Sequence, residues 1–234
     1  MIRFINRTHW ENLDHLKDLV DYLTSKKVGD AVWISSSGFA TPFHVIPTSC
    51  IINSKELSVG MPDSSSELKS YLQTVRFSYG MAAEHVEIGK SGNYLPIARV
   101  YKKDSEGEYR EAAYKNIEDR YRELILSCIS SVREKLSNAV AFFLAELIEN
   151  AKDHSEADNF YIFAQYWPHT SEFELCLMDD GIGLRGSLSK LHPHVSSDET
   201  AVREVIQRQL SSRISEVESY PGTGLANTMR IVSN

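Results

Sequence analysis

Two runs of alternating apolar residues, Ala157 to Trp167 and Phe173 to Met178, flank a Pro168-His-Thr-Ser turn and directly follow two stretches of helical periodicity. Alternation of period two broken by turn residues predicts an antiparallel strand pair. The first helical stretch carries Tyr114, Ile117, Tyr121, Leu124, Ile125, Cys128, Ile129 and Val132 at helical spacing, which predicts one long helix over 111–136. A second helix is expected from about Asn138 to His154. Helices and a strand pair in this order place the region in the α/β class.

The amino-terminal part reads as a second α/β unit. Trp10, Leu13, Leu16, Leu19, Val20 and Leu23 keep helical spacing. Ala31 to Ile34 predicts a short strand, with Trp33 in the core, and a Ser-Gly turn follows. The apolar stretch through Phe43, Val45, Ile46, Ile51 and Ile52, interrupted by Pro47, reads as a strand followed by a helix. A strand over 56–59 and a turn running into a capped helix over 68–75 complete the unit. Residues 78–108, with glycines at 80, 89, 92 and 107 and a strand expected over 97–101, read as a connection. We place a boundary near residue 103, giving two domains, 1–103 and 104–234.

Composition narrows the function classes. With 25 basic and 32 acidic side chains the formal charge is −7, which argues against a nucleic-acid partner held through its phosphates. Cys50, Cys128 and Cys176 form no paired motif, so a reducing, cytoplasmic setting is expected, with Cys176 in the core. No run of about 18 apolar residues occurs, and no membrane association is expected.

Three short segments carry chemistry. Glu146, Asn150 and Asp153 project from one helix face at 3.6 residues per turn, with Leu144, Leu147, Ile148 and Ala151 opposite. The Asn150 carboxamide suits Mg²⁺, which takes oxygen ligands and shares them with phosphates, and Glu146 can orient or deprotonate a water. Asp179-Asp-Gly181-Ile-Gly183 puts a carboxylate at a strand exit and two glycines where a ligand approaches the backbone. A carboxylate only accepts hydrogen bonds, so Asp179 can read the exocyclic amine of adenine. Gly222-Thr223-Gly224-Leu225 at a helix entrance offers free N–H groups to phosphates. Gly181-Ile-Gly-Leu-Arg-Gly186 also satisfies a dinucleotide fingerprint, but Pro193 and a polar stretch follow where that fingerprint needs a helix and a second parallel strand. The pair His192 and His194 reads as an exposed loop feature.

In this order the three segments resemble the N, G1 and G2 boxes of the GHKL ATP-binding superfamily, over about residues 110 to 234. The resemblance implies a Bergerat-type α/β sandwich, a mixed and mostly antiparallel sheet packed on helices, with ATP and Mg²⁺ as cofactors and residues 184–221 as the lid. It implies Glu146 as the catalytic or water-orienting carboxylate and Asn150 as the Mg²⁺ ligand. Asp179 becomes the adenine contact, Gly181 and Gly183 the nucleotide-adjacent turn, and Gly222, Thr223, Gly224 and Leu225 the phosphate loop. Asp153 falls where branches of the superfamily carry an acid. Residues 31–53 followed by 67–77 resemble a STAS-type regulatory domain, whose phosphoacceptor region falls near Thr41-Pro42-Phe43, where no Ser-Gly pair occurs.

The implied function is an ATP/Mg²⁺-binding regulatory module with slow hydrolysis, signalling by lid closure to the amino-terminal domain, a protein partner or a second copy. An anti-sigma-type Ser/Thr kinase and a non-catalytic interaction module remain the alternatives. The helix over 111–136 contains no histidine, so autophosphorylation on His is disfavoured. Because the family fold adds strands after the third box, the chain is expected to be a fragment or to have its sheet completed by another element or chain.

Overall fold

The computed structural model describes residues 2, 9–35, 40–61, 66–103, 107–108, 110–128, 133–153 and 156–208, the side chains of 9–13, 133–137, 153 and 206–208 excepted. The protein is a mixed α/β fold built in three layers. Its elements are α1 (His9–Thr24), β1 (Ala31–Trp33), α2 (Pro42–Ser54), β2 (Ser58–Gly60), α3 (Glu67–Thr74), β3 (Met81–Ala82) and β4 (Tyr94–Tyr101). Then follow α4 (Glu111–Cys128), α5 (Arg133–Asp153), β5 (Asn159–Trp167), β6 (Glu172–Asp179), α6 (Gly183–Ser189) and α7 (Asp198–Arg208).

The central sheet has the order β3-β4-β5-β6, parallel at β3-β4 and antiparallel at the other two steps. The strand pair expected around the Pro168 turn is β5-β6, in continuous register from Phe160 opposite Asp179 to Trp167 opposite Glu172. On β4 the register shifts between Leu95 and Ala98. Pro96 falls within this irregularity, where a missing N–H costs the ladder least, and the Ile97 N–H turns instead to the Val75 carbonyl at 3.0 Å.

Alternation along the strands sends side chains to two cores. Ile97, Tyr161, Phe163, Cys176 and Met178 pack with α1, α2 and α3, whereas Leu95, Ala98, Val100, Phe160, Ile162, Leu175 and Leu177 pack with α4 and α5. β5 is buried on both faces over its first six residues, which explains its nearly continuous apolar run. The Tyr121 hydroxyl, fully buried, donates to the Ile162 carbonyl at 2.9 Å and ties α4 to the middle strand. The sheet and the first core both run across residue 103: β4 pairs with β5, and Tyr161 and Phe163 pack among residues of the first 77.

Several expectations change. The stretch read as strand then helix is one helix, α2, which starts with Pro42 at its first position after Thr41 and carries Pro47 inside it. Residues 44–52 are buried nearly without interruption, so this helix has no polar face and leaves no helical period in the sequence. β1, α2 and β2 make a parallel β-α-β unit in which Trp33 pairs with Gly60. Trp33 is not core but 63% exposed: alternation turns Val32 inward and lays the indole across Gly60, where a Cβ would meet the ring at 2.2 Å. Residues 133–136 belong to α5 and not to the preceding helix, whose described part closes at Cys128. The strand expected over 56–59 begins at Ser58, since Glu56 turns the chain at φ 53. The expected helix over 68–75 is α3, capped by Ser66 Oγ accepting from the Lys69 N–H. No helix among the described residues is long and apolar enough to cross a membrane.

Candidate functional site

α5 presents Leu144, Ile148 and Ala151 to the sheet, at a spacing of four and three residues. Glu146 and Asn150 lie on its flank and are half-buried. The Asn150 side-chain nitrogen is buried and has no hydrogen-bond partner among the described residues. Leaving such a donor unmet costs about 1–3 kcal/mol. Asp153 is the last residue of α5, and its side chain lies outside the described residues.

β6 delivers Asp179 to the same layer. Phe173, Leu175 and Leu177 face the α4/α5 core, and continued alternation puts Asp179 on that face too. Its Oδ1 accepts the Gly181 N–H at 3.0 Å, which closes the turn leaving the strand. Burial raises the Asp179 carboxyl above its usual range. The N–H groups of Gly181 and of Asp179 itself draw it back, the Asp180 charge adds to the rise, and the Lys102 charge opposes it. Gly183 sits at φ +66 with open space around a notional Cβ, so it is needed for its backbone conformation and not for close packing.

Asp180 is spent differently. Its Oδ1 accepts the N–H groups of Asp158 and Asn159, each at 3.0 Å, and its Oδ2 accepts Asn159 Nδ2 at 2.8 Å. Sequence reading placed the ligand-reading role on the first aspartate of the doublet and gave the second none. The doublet was itself the available signal, because neighbouring strand residues point to opposite faces.

A helix does open at the second glycine of the dinucleotide fingerprint, contrary to expectation, since α6 starts at Gly183. Gly186 packs against Ile182, where a Cβ would lie 2.8 Å from the Ile182 Cβ. Yet α6 leads to α7 and to a small cluster of Leu188, Val195, Ala201 and Val205, and no strand occurs among described residues 190–208. The fingerprint therefore lacks its second strand there. α7 is described to Arg208. Gly222, Thr223, Gly224 and Leu225, and the helix expected after them, lie outside the described residues.

No group of three or more His, Cys, Asp or Glu able to hold a metal occurs among the described residues. The rings of His192 and His194 stand 6.0 Å apart, with His194 exposed and His192 half-buried. The thiols of Cys50 and Cys176 are pushed up to about 12, mainly by burial and then by nearby carboxylates. Comparison of the chain with protein-family models, with curated proteins and with solved structures finds no match.

Proposed function

We propose that this protein is an ATP- and Mg²⁺-binding module of the GHKL type, in which residues 1–103 form a STAS-like regulatory part and nucleotide-dependent closure of residues 184–221 signals to it or to a protein partner. What supports the reading is that α5 packs on the sheet face to which alternation along β6 directs Asp179, that burial raises the Asp179 carboxyl, and that Asn150 on α5 carries a buried amide without a partner among the described residues. A half-buried carboxylate at a strand exit suits the amine edge of adenine and disfavours a carbonyl there.

The side chains present fit Mg²⁺ in the way that ion is usually held. A carboxamide offers an oxygen or a donor by a half-turn of its terminal bond, so Asn150 can supply one oxygen ligand while phosphates and water supply the rest. When bound, Mg²⁺ supplies positive charge against the phosphates. Asn150 orients that end of the nucleotide, Asp179 holds the base, and Glu146, one turn before Asn150 on α5, takes the proton of an attacking water. Gly222 to Leu225 are proposed as the phosphate loop and Asp153 as a further nucleotide-binding acid.

Single-turnover measurements with labelled ATP test the assignment. A Glu146→Ala variant is expected to keep ATP binding while its slow hydrolysis falls ~100-fold or more. Unchanged turnover would remove Glu146 from the chemistry, and label found on a protein partner instead of in free phosphate would favour a kinase.

A further inference from the structure

The Asp180 carboxylate lies where β6 ends and β5 begins. It gathers three donors, the Asp158 N–H, the Asn159 N–H and Asn159 Nδ2, while the Asp180 N–H donates to the Asn159 carbonyl at 3.2 Å. The ladder's last register pair is Phe160 opposite Asp179, so these contacts continue the pairing one step past the strands' regular end. On its far side the Asn159 Oδ1 accepts Arg99 Nε at 3.3 Å, from β4. The guanidinium can only donate and the ionised carboxylate can only accept, so the amide of Asn159 has one workable orientation between them. A relay Arg99–Asn159–Asp180 thus runs across three strands, on the residue next to Asp179.

We propose that Asp180 is a positioning residue: through Asn159 and Arg99 it fixes the exit of β6 so that the Asp179 carboxylate is held where it distinguishes adenine from guanine. This rests on the nucleotide reading above. Discrimination by a carboxylate depends on placement, because a misplaced acceptor neither rewards the adenine amine nor penalises the guanine carbonyl. In the turn beyond, Gly181 is tethered by the Asp179 Oδ1 itself, and Ile182, Gly183 and Leu184 are exposed.

The relay's chemistry supplies the test. In Asp180→Asn, one oxygen still serves the backbone N–H groups of 158 and 159, but a new amide donor faces the donor of Asn159, which cannot turn over without facing Arg99 with a second donor. Asn159→Asp alone opposes two carboxylates. The double exchange, Asp180→Asn with Asn159→Asp, restores every complement: the new carboxylate at 159 accepts from Arg99 and from the new amide at 180.

ATP and GTP binding to the full chain with Mg²⁺ is measured by calorimetry for the four proteins, alongside their thermal midpoints. Each single exchange is expected to reduce the ATP-over-GTP preference about tenfold, and the double exchange to recover most of it, the size of one misdirected hydrogen bond at a charged group. Lowered midpoints with the full preference kept in both single variants would make the relay purely structural and overturn the proposal. So would a double variant that regains its midpoint but not its preference. Failure of the unchanged chain to bind ATP overturns the nucleotide reading, whereas ATP binding with a preference that the single exchanges leave untouched overturns the relay alone.

Discussion

The two acids that β6 sends to opposite faces of the central sheet are used in different ways. On the α2 face, Glu174 fastens a helix. Glu174 Oε1 accepts both the Thr41 hydroxyl at 2.9 Å and the Phe43 N–H, serving the start of α2 from a strand 131 residues away, while Cys50 donates to the Asp179 carbonyl at 3.5 Å and Tyr71 to Gln165 at 2.7 Å. On the α5 face, Asp179 accepts the Gly181 N–H of its own turn, and the Asn150 nitrogen is buried without a partner among the described residues, as is the Ser49 hydroxyl on the α2 face. One acid of β6 holds a distant helix, and the other closes a local turn.

The largest expected effect lies in the apolar layer that holds α5. Leu144 is fully buried, so Leu144→Ala should lower unfolding free energy by about 2–5 kcal/mol in urea titration. A loss under about 1 kcal/mol would mean that α5 rests too loosely to place Asn150. Next comes acid sensitivity on the α2 face, where burial, reinforced by His15, pushes His44 down to about 4. Unfolded histidine titrates near 6.5, so as pH falls the unfolded chain takes the proton first. Stability is full above that value and drains as pH drops toward 4, and His44→Gln should flatten this limb of a denaturation-versus-pH curve. If the limb keeps its slope, other groups govern it.

Glu174→Ala should cost about 1–3 kcal/mol, through unmet donors at the start of α2, yet leave ATP affinity within about twofold. A large loss of affinity would show that the α2 face also tunes the site, and would blur the contrast between the two acids. Tyr71→Phe is the smallest change, about 0.5–1.5 kcal/mol, measurable as a shift in urea midpoint.

Where the sequence was legible, local periodicity and burial on one side coincided. α1, α4, α5 and the β5-β6 pair each carry a polar face or a turn, so the pattern survives. α2 is buried all round and holds an internal proline, so neither period nor composition marks it as a helix. Trp33 shows the reverse error, since a large aromatic in a strand can cross a glycine on the solvent side. The pairing of β4 with β5 joins residues about sixty apart, and the use of Asp180 depends on that pairing together with the orientation of Asn159. Neither is written in any local window. The roles read for Glu146, Asn150 and Asp179 came from spacing and resemblance, and what the fold adds is that α5 and the exit of β6 share a face.

The central claim is that Asp179 reads adenine. Calorimetry of ATP with Mg²⁺, comparing the unchanged chain with Asp179→Asn at neutral pH and again on acidification, tests it most directly. Because burial raises the Asp179 carboxyl, its acceptor form is lost on acidification sooner than for an ordinary aspartate, so affinity should fall as pH drops through that raised value. Asp179→Asn should weaken ATP by ~10- to 100-fold and abolish that pH dependence. Equal affinity and an equal pH profile in both proteins would contradict the account.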